Sequence, residues 1–255
     1  MKKILTTAIL CAGLVGFTAC DSFLDEDPKS SLTLDTYYKT SADIIGNVNY
    51  LYRDGAPDKM GNMTGAYRGS SLSVMNMVTG YFVNEYEGQE VDCSYARQLT
   101  RQDFTQSCCN YLTNDTWKSC YKSINVANAV IKYVDGVEMD NQAQYKAEAR
   151  FFRALNYFYL VKMFGDVPMV TEPTEDATLV EYPTRTAASE VFNTVIIPDL
   201  QFAVENLPNA TFAGNSHRVT KYAADMLLAD VYMRLGEYAN AVTPLKDVIH
   251  SGKFA

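Results

Sequence analysis

The sequence predicts an all-α fold, built from antiparallel helix pairs and interrupted by one long irregular segment. Three observations carry that expectation. Apolar residues recur at three- and four-residue spacing through most of residues 115–250, as in helices with one buried face. Short turns bearing Gly or Pro separate several of these runs, which makes neighbouring helices antiparallel. Residues 54–112 instead carry Gly55, Pro57, Gly61, Gly65, Gly69, Gly80 and Gly88 and hold no sustained period.

At the N-terminus, Lys2 and Lys3 precede a short apolar run over residues 4–17, followed by Thr18, Ala19 and Cys20. A basic start, an apolar stretch and small residues before a cut describe a secretory signal over residues 1–19. A cysteine at the cut points to a lipoprotein signal with Cys20 as the lipidated residue, although Phe17 stands where such signals usually carry Leu. The run is too short to span roughly 30 Å of hydrocarbon as a helix, so attachment is expected through acyl chains. Residues 20–33, acidic with one proline, read as a solvated tether, and residues 34–255 as the helical domain.

The domain's elements follow in order. Thr40 with Asp43 forms a capping-box-like start, and Ile44, Ile45, Val48, Leu51 and Tyr52 supply the first stripe. The irregular segment 54–112 is expected to hold one short helix near residues 71–79. From Asp115, one face is lined by Trp117, Tyr121, Ile124, Ala127, Asn128 and Ile131, and the next by Tyr145, Ala149, Phe152, Leu155, Tyr159 and Met163. Thr186 is placed to cap a helix carrying Val191, Val195, Leu200, Val204 and Leu207, with a kink or break near Ile197 because Pro198 lacks an N–H. Thr220 is placed to cap a helix with Ala224, Leu227, Leu228, Val231 and Leu235, and a last helix runs over residues 237–249. Residues 235–241 (L-G-E-Y-A-N-A) match the L-G-x-Y-x-x-A core of a tetratricopeptide repeat, and Phe164-Gly165-Asp166-Val167 is a weaker echo.

Composition narrows the function. Beyond residue 19 the chain carries 20 basic side chains (the total of 22 less Lys2 and Lys3) against 30 acidic ones. With no basic run or stripe, nucleic acid is an unsuitable partner. Cys93, Cys108, Cys109 and Cys120 lack C-x-x-C spacing, and His217 and His250 lie far from them, which argues against zinc. Whether these thiols pair stays open, since export permits disulfides. No cofactor is expected: a P-loop is missing because Phe254 follows Gly252-Lys253, and no EF-hand spacing occurs in residues 84–92. Glu85, Glu87, Glu90 and Asp92 are near one another only in sequence, which establishes no glycosidase pair.

Residues 145–170 (Y-K-A-E-A-R-F-F-R-A-L-N-Y-F-Y-L-V-K-M-F-G-D-V-P-M-V) resemble the signature helix of the SusD/RagB family. Stretches starting at Trp117 (W-K-S-C-Y-K-S-I-N-V-A-N), Val191 (V-F-N-T-V-I-I-P-D-L) and His217 (H-R-V-T-K-Y-A-A-D-M-L-L-A-D-V-Y-M-R-L-G-E-Y) are similar to the family in the same order, as is C-D-S-F-L-D-E-D-P from Cys20. The resemblance implies a surface-exposed, lipid-anchored outer-membrane protein of glycan-foraging Gram-negative bacteria. Such proteins bind oligosaccharides or other nutrients without catalysis and sit as a lid on a SusC-like TonB-dependent transporter. Family members are typically twice this long, so the expectation is an N-terminal half, or a short gene product, whose last helix leaves an apolar face uncovered.

The ligand candidates come from composition rather than from the resemblance. Tyr81, Tyr86, Asp92, Tyr95, Arg97 and Tyr111 lie in the irregular segment, where aromatic faces suit sugar C–H groups and charged side chains suit sugar hydroxyls. Against this stands an ordinary loop whose tyrosines plug it onto the helices. Arg150 and Arg153 are read as salt-bridge residues and Trp117 as core. The alternative function is a helical-repeat adaptor that binds protein rather than sugar.

Overall fold

The computed structural model describes residues 34–53, 78–81, 100–102, 106–174 and 183–254, excepting the side chains of residues 35, 53 and 106–115. Helix α1 (Leu34–Tyr37) is the described part of a first compact unit, and the second unit begins at Tyr38. That second unit contains α2 (Ser41–Arg53), α3 (Gln106–Tyr133), α4 (Gln142–Phe164), α5 (Ala188–Val191), α6 (Ile197–Asn206), α7 (Lys221–Arg234) and α8 (Tyr238–His250). Packing runs α3 on α4, α4 on α6, α6 on α7 and α7 on α8, with α2 against α3 and α4. Helices stacked in chain order are the predicted all-α arrangement. Among the described residues the only sheet-like pairing is an isolated antiparallel bridge between Val167 and Thr186.

The start of α2 follows its sequence. The Asp43 carboxylate accepts from the Thr40 amide at 2.8 Å and the Thr40 hydroxyl at 2.7 Å, while Ile44, Val48 and Leu51 are buried. Helix α3 begins at Gln106, nine residues before Asp115, so the irregular segment ends earlier than predicted and Tyr111 lies on a helix. Once a helix is nucleated, each added residue gains a hydrogen bond, so the polar stretch preceding Asp115 extends it without an apolar stripe. Of the short helix expected near residues 71–79, only residues 78 and 79 fall among those described, in a turn with Gly80 at φ 78°.

Helix α4 departs from the single stripe read in its sequence. Twelve of its 23 residues are buried, among them Phe151, Ala154, Tyr157, Phe158, Leu160 and Val161, which the stripe omits. Leu155, Tyr159 and Met163 are only half-buried. The reason is position: α4 is flanked by α3 and α6, so more than one face is covered.

Thr186 caps no helix. Its backbone pairs with Val167, and the first amide of α5, Ala188 N–H, donates to the Asp166 carboxylate at 2.9 Å. The cap therefore comes from the end of the preceding helical pair rather than from the local residue. The interruption predicted near Ile197 takes the form of a change of helix type: α5 ends at Val191, and α6 starts at Ile197 with Pro198 in its first turn. The missing N–H of Pro198 is absorbed by a π-turn over Phe192–Ile196, in which the Ile197 amide donates to the Phe192 carbonyl. Thr220 sits at the N-cap of α7 without a side-chain cap bond. The α7–α8 turn is as its motif predicts: Gly236 adopts φ 77°, and Glu237 N–H donates to Tyr232 O at 2.9 Å, the six-to-one bond of a Schellman turn.

Cys120 is a free, buried thiol whose pKa is pushed up to about 12 by that burial. On α8, Ala241 and Pro244 are buried, whereas Tyr238 and Ile249 are 69% and 71% exposed.

Asp43 yields a pH prediction. The Thr40 hydroxyl and amide hold its carboxyl below the ordinary 3.8, so the cap stabilises α2 above that value and is lost as pH falls through the lower folded pKa. Melting curves of wild type and Asp43→Ala should differ at neutral pH and converge as the pH drops below 3.8. A gap that stays constant into strong acid contradicts this account.

Candidate ligand-binding surface

The helices first build anchors for the irregular chain. Arg153 grips the buried Asp199 through two hydrogen bonds, Nε to Oδ2 at 2.6 Å and Nη2 to Oδ1 at 2.9 Å. Its Nη1 donates to Asn128 Oδ1 at 2.9 Å, so one guanidinium ties α3, α4 and α6 together. Arg150 adds a longer contact to Asp199 at 3.7 Å and lies over the Phe202 ring at 4.2 Å. Burial pushes the Asp199 carboxyl above its ordinary value, and the Arg153 hydrogen bonds pull it back. Both arginines are thus the inter-helix salt-bridge residues that sequence spacing suggests.

Residues 168–174 hang from the same helices. Asn128 Nδ2 donates to the Val170 and Glu172 carbonyls at 3.0 and 3.2 Å. The Tyr157 hydroxyl donates to Val170 O and accepts from Val170 N–H, Tyr121 donates to Pro168 O, and Asn125 Oδ1 accepts from Thr174 N–H. Trp117, read as core, is only half-buried, with Tyr121 and Phe164 against its ring.

A second cluster holds the α6–α7 connection. Glu148, fully buried, accepts from Arg218 Nε at 3.0 Å and from the Tyr52 hydroxyl at 2.9 Å. Arg218 also donates to Asn49 Oδ1, and Tyr52 accepts from Val219 N–H. Burial and the neighbouring Glu148 carboxylate raise the Tyr52 phenol well above its usual range, so it stays a neutral donor.

Beside this cluster, a cleft of about 630 Å³ opens between the first turn of α2 and the α3–α4 connection, lined by Ser41, Ile45, Glu138, Met139, Asp140, Asn141 and Tyr145. Sequence reasoning missed it. Ser41 stands about a hundred residues from the other wall, and Tyr145 reads locally as one member of a stripe.

Of the predicted ligand residues, Tyr81 ends the described turn at residues 78–81. It is 90% exposed, so its ring does not plug the segment onto the helices. The Gln102 side chain donates to Val78 O at 3.1 Å and ties that turn to residues 100–102. Tyr111 has its backbone in α3, and its side chain lies outside the described part. Tyr86, Asp92, Tyr95 and Arg97 lie outside the described residues, as do Cys20 and Cys93 and the side chains of Cys108 and Cys109. No group of three metal-type side chains occurs among the described residues, and none of their helices is long and apolar enough to cross a membrane.

This helix-pair frame, carrying loops on buried polar anchors, is that of a helical-repeat protein. The family model described as "Starch-binding associating with outer membrane" matches residues 22–233, and the chain belongs to this SusD-like family, as residues 145–170 imply. Proteins of the family bind carbohydrate and are non-catalytic. The chain is 28% identical to SusD-like protein P2 of Formosa agariphila over 98% of its own length and 47% of the relative's. It superposes on a laminarin-binding SusD-like protein with a TM-score of 0.68 at 24% identity, covering 83% of this chain and 44% of that one. A structure with a xylogluco-oligosaccharide superposes with a TM-score of 0.62 at 23% identity, over 82% of this chain and 40% of that one. The chain thus spans about half the length of the curated relatives it matches.

The Arg153–Asp199 pair gives a stability prediction. Arg153→Met leaves Asp199 charged and buried without its main partner and should cost about 3–5 kcal/mol. The Arg153→Met/Asp199→Leu double variant should cost clearly less than the sum of the singles in chemical denaturation. Additive losses contradict a direct pair.

Proposed function

We propose that the protein is a non-catalytic, lipid-anchored glycan-binding protein of the outer-membrane surface that passes its ligand to a SusC-like TonB-dependent transporter. The observation that carries this reading is membership of a starch-binding, outer-membrane-associated family. Two further features support it: an exposed tyrosine within the irregular segment, and the lipoprotein-type junction at Cys20. In this reading Tyr81, Tyr86, Tyr95 and Tyr111 offer aromatic faces, while Asp92 and Arg97 meet sugar hydroxyls. Laminarin and xylogluco-oligosaccharides, the ligands named for two structural neighbours, are the first to try.

The adaptor reading is favoured by one observation, the exposed Tyr238, Val242 and Ile249 on α8. Affinity electrophoresis through gels containing laminarin or xyloglucan separates the two. The Tyr86→Ala/Tyr95→Ala variant should lose retention about tenfold or more with unchanged helicity. A wild-type protein retained by neither glycan argues for the adaptor. For the anchor, Cys20→Ser should move the protein from the membrane to the soluble fraction and remove the acyl mass from the mature chain. Unchanged fractionation contradicts lipidation at Cys20.

A further inference from the structure

We propose that the cleft between α2 and the α3–α4 connection is a second oligosaccharide subsite, separate from residues 54–112, which takes a neutral sugar and refuses an anionic one. The proposal rests on the glycan-binding reading above. Its first support is size: about 630 Å³ lies within the ~300–1,000 Å³ of small-ligand sites and suits one or two sugar rings.

Its second support is the state of the lining. Ser41, Glu138, Asp140, Asn141 and Tyr145 supply hydroxyl, carboxylate, amide and phenol groups, with Ile45 and Met139 as apolar wall. None of those five side chains has a hydrogen-bond partner among the described residues, whereas the neighbouring polar side chains Asp43, Gln142, Gln144, Lys146 and Glu148 are all engaged. The cleft thus gathers uncommitted donors and acceptors in a region whose other polar groups are paired.

The walls are also rigid. Gln142 Nε2 donates to Val134 O at 2.7 Å and Val137 O at 3.0 Å, and Lys146 pairs with Asp135 across the same turn. On the facing wall the Thr40–Asp43 box fixes the first turn of α2. Arg218, paired with the buried Glu148, lies over the Tyr145 ring at 5.3 Å. Groups held this way lose little freedom when a ligand binds.

Charge sets the class of sugar. Glu138 and Asp140 line the cleft, and the lining contains no Lys or Arg. Carboxylates make strong, charge-assisted bonds with neutral sugar hydroxyls, whereas a sulfate or uronate would face like charge at short range. The carboxylates therefore both bind and select.

The test uses the full chain, a laminari-oligosaccharide and its sulfated derivative, followed by isothermal titration and by backbone amide shifts of residues 138–145. Wild type should bind the neutral probe with shifts in those amides, and Tyr86→Ala/Tyr95→Ala should retain the shifts. Glu138→Gln/Asp140→Asn, at exposed positions where the fold is not at stake, should weaken neutral-probe binding at the cleft about tenfold. The same variant should bind the sulfated probe more tightly than wild type does. Unmoved amides at residues 138–145, together with binding abolished by Tyr86→Ala/Tyr95→Ala, overturn the subsite and leave the glycan-binding reading intact. Absence of any neutral-probe binding in wild type overturns both. Equal affinity of wild type and variant for the sulfated probe overturns the charge selection.

Discussion

The buried carboxylate of Asp199 is the group around which the helical frame is arranged. An ionised carboxylate away from water is costly unless it is paired and hydrogen-bonded. Asp199 meets that condition only if α4 places Arg153 within bidentate reach and α6 presents the carboxylate in the same register. The remaining arm of Arg153 then needs an acceptor, which Asn128 of α3 provides. Sliding any of the three helices by a turn strands at least one of these groups. Apolar packing among Tyr157, Phe158, Ile196 and Leu200 supplies most of the driving force for burial, but it tolerates more than one docking. The polar triad does not.

The anchoring extends outward from there. Asn128 holds Arg153 with its oxygen and the 170–172 backbone with its nitrogen, so the same side chain that completes the buried network also fixes a surface segment. Glu148 of α4 and Tyr52 of α2 repeat the device nearer the start of α4, where Arg218 and the Val219 amide are captured. In both places a helix supplies a side-chain acceptor or donor, and an irregular segment supplies the backbone group or long side chain that needs it. Loops carrying function are positioned by a rigid scaffold in this way.

Two kinds of surface feature result. The Tyr81 turn projects a solvated aromatic ring from a segment whose other proposed ligand residues lie outside the described part. The cleft at Ser41 and Tyr145 is concave, acidic and built on helix termini. Under the proposed glycan-binding function, such separation is an advantage. Two weak sites on one chain raise retention through effective concentration when a single glycan reaches both.

Much of this frame was legible in the residues alone, for a physical reason: helix period, capping and turn chemistry are local. The stripe of α2, the Thr40–Asp43 box and the Gly236 turn each depend on side chains within a few positions of one another. The family motif over residues 145–170 is likewise contiguous, and the family follows from it. The candidate ligand tyrosines were read from composition, which names residue types that suit sugar and assigns them no geometry. What only the tertiary structure decided involves partners far apart in the chain. Arg153 meets Asp199 across 46 residues, Glu148 meets Arg218 across 70, and the cleft closes Ser41 against a turn about a hundred residues later. Such pairings depend on how helices dock, and the same amphipathic pattern is compatible with several dockings. For the same reason Thr186 looked like a cap from its neighbours, while Asp166, brought near by the chain's return, is the residue that caps.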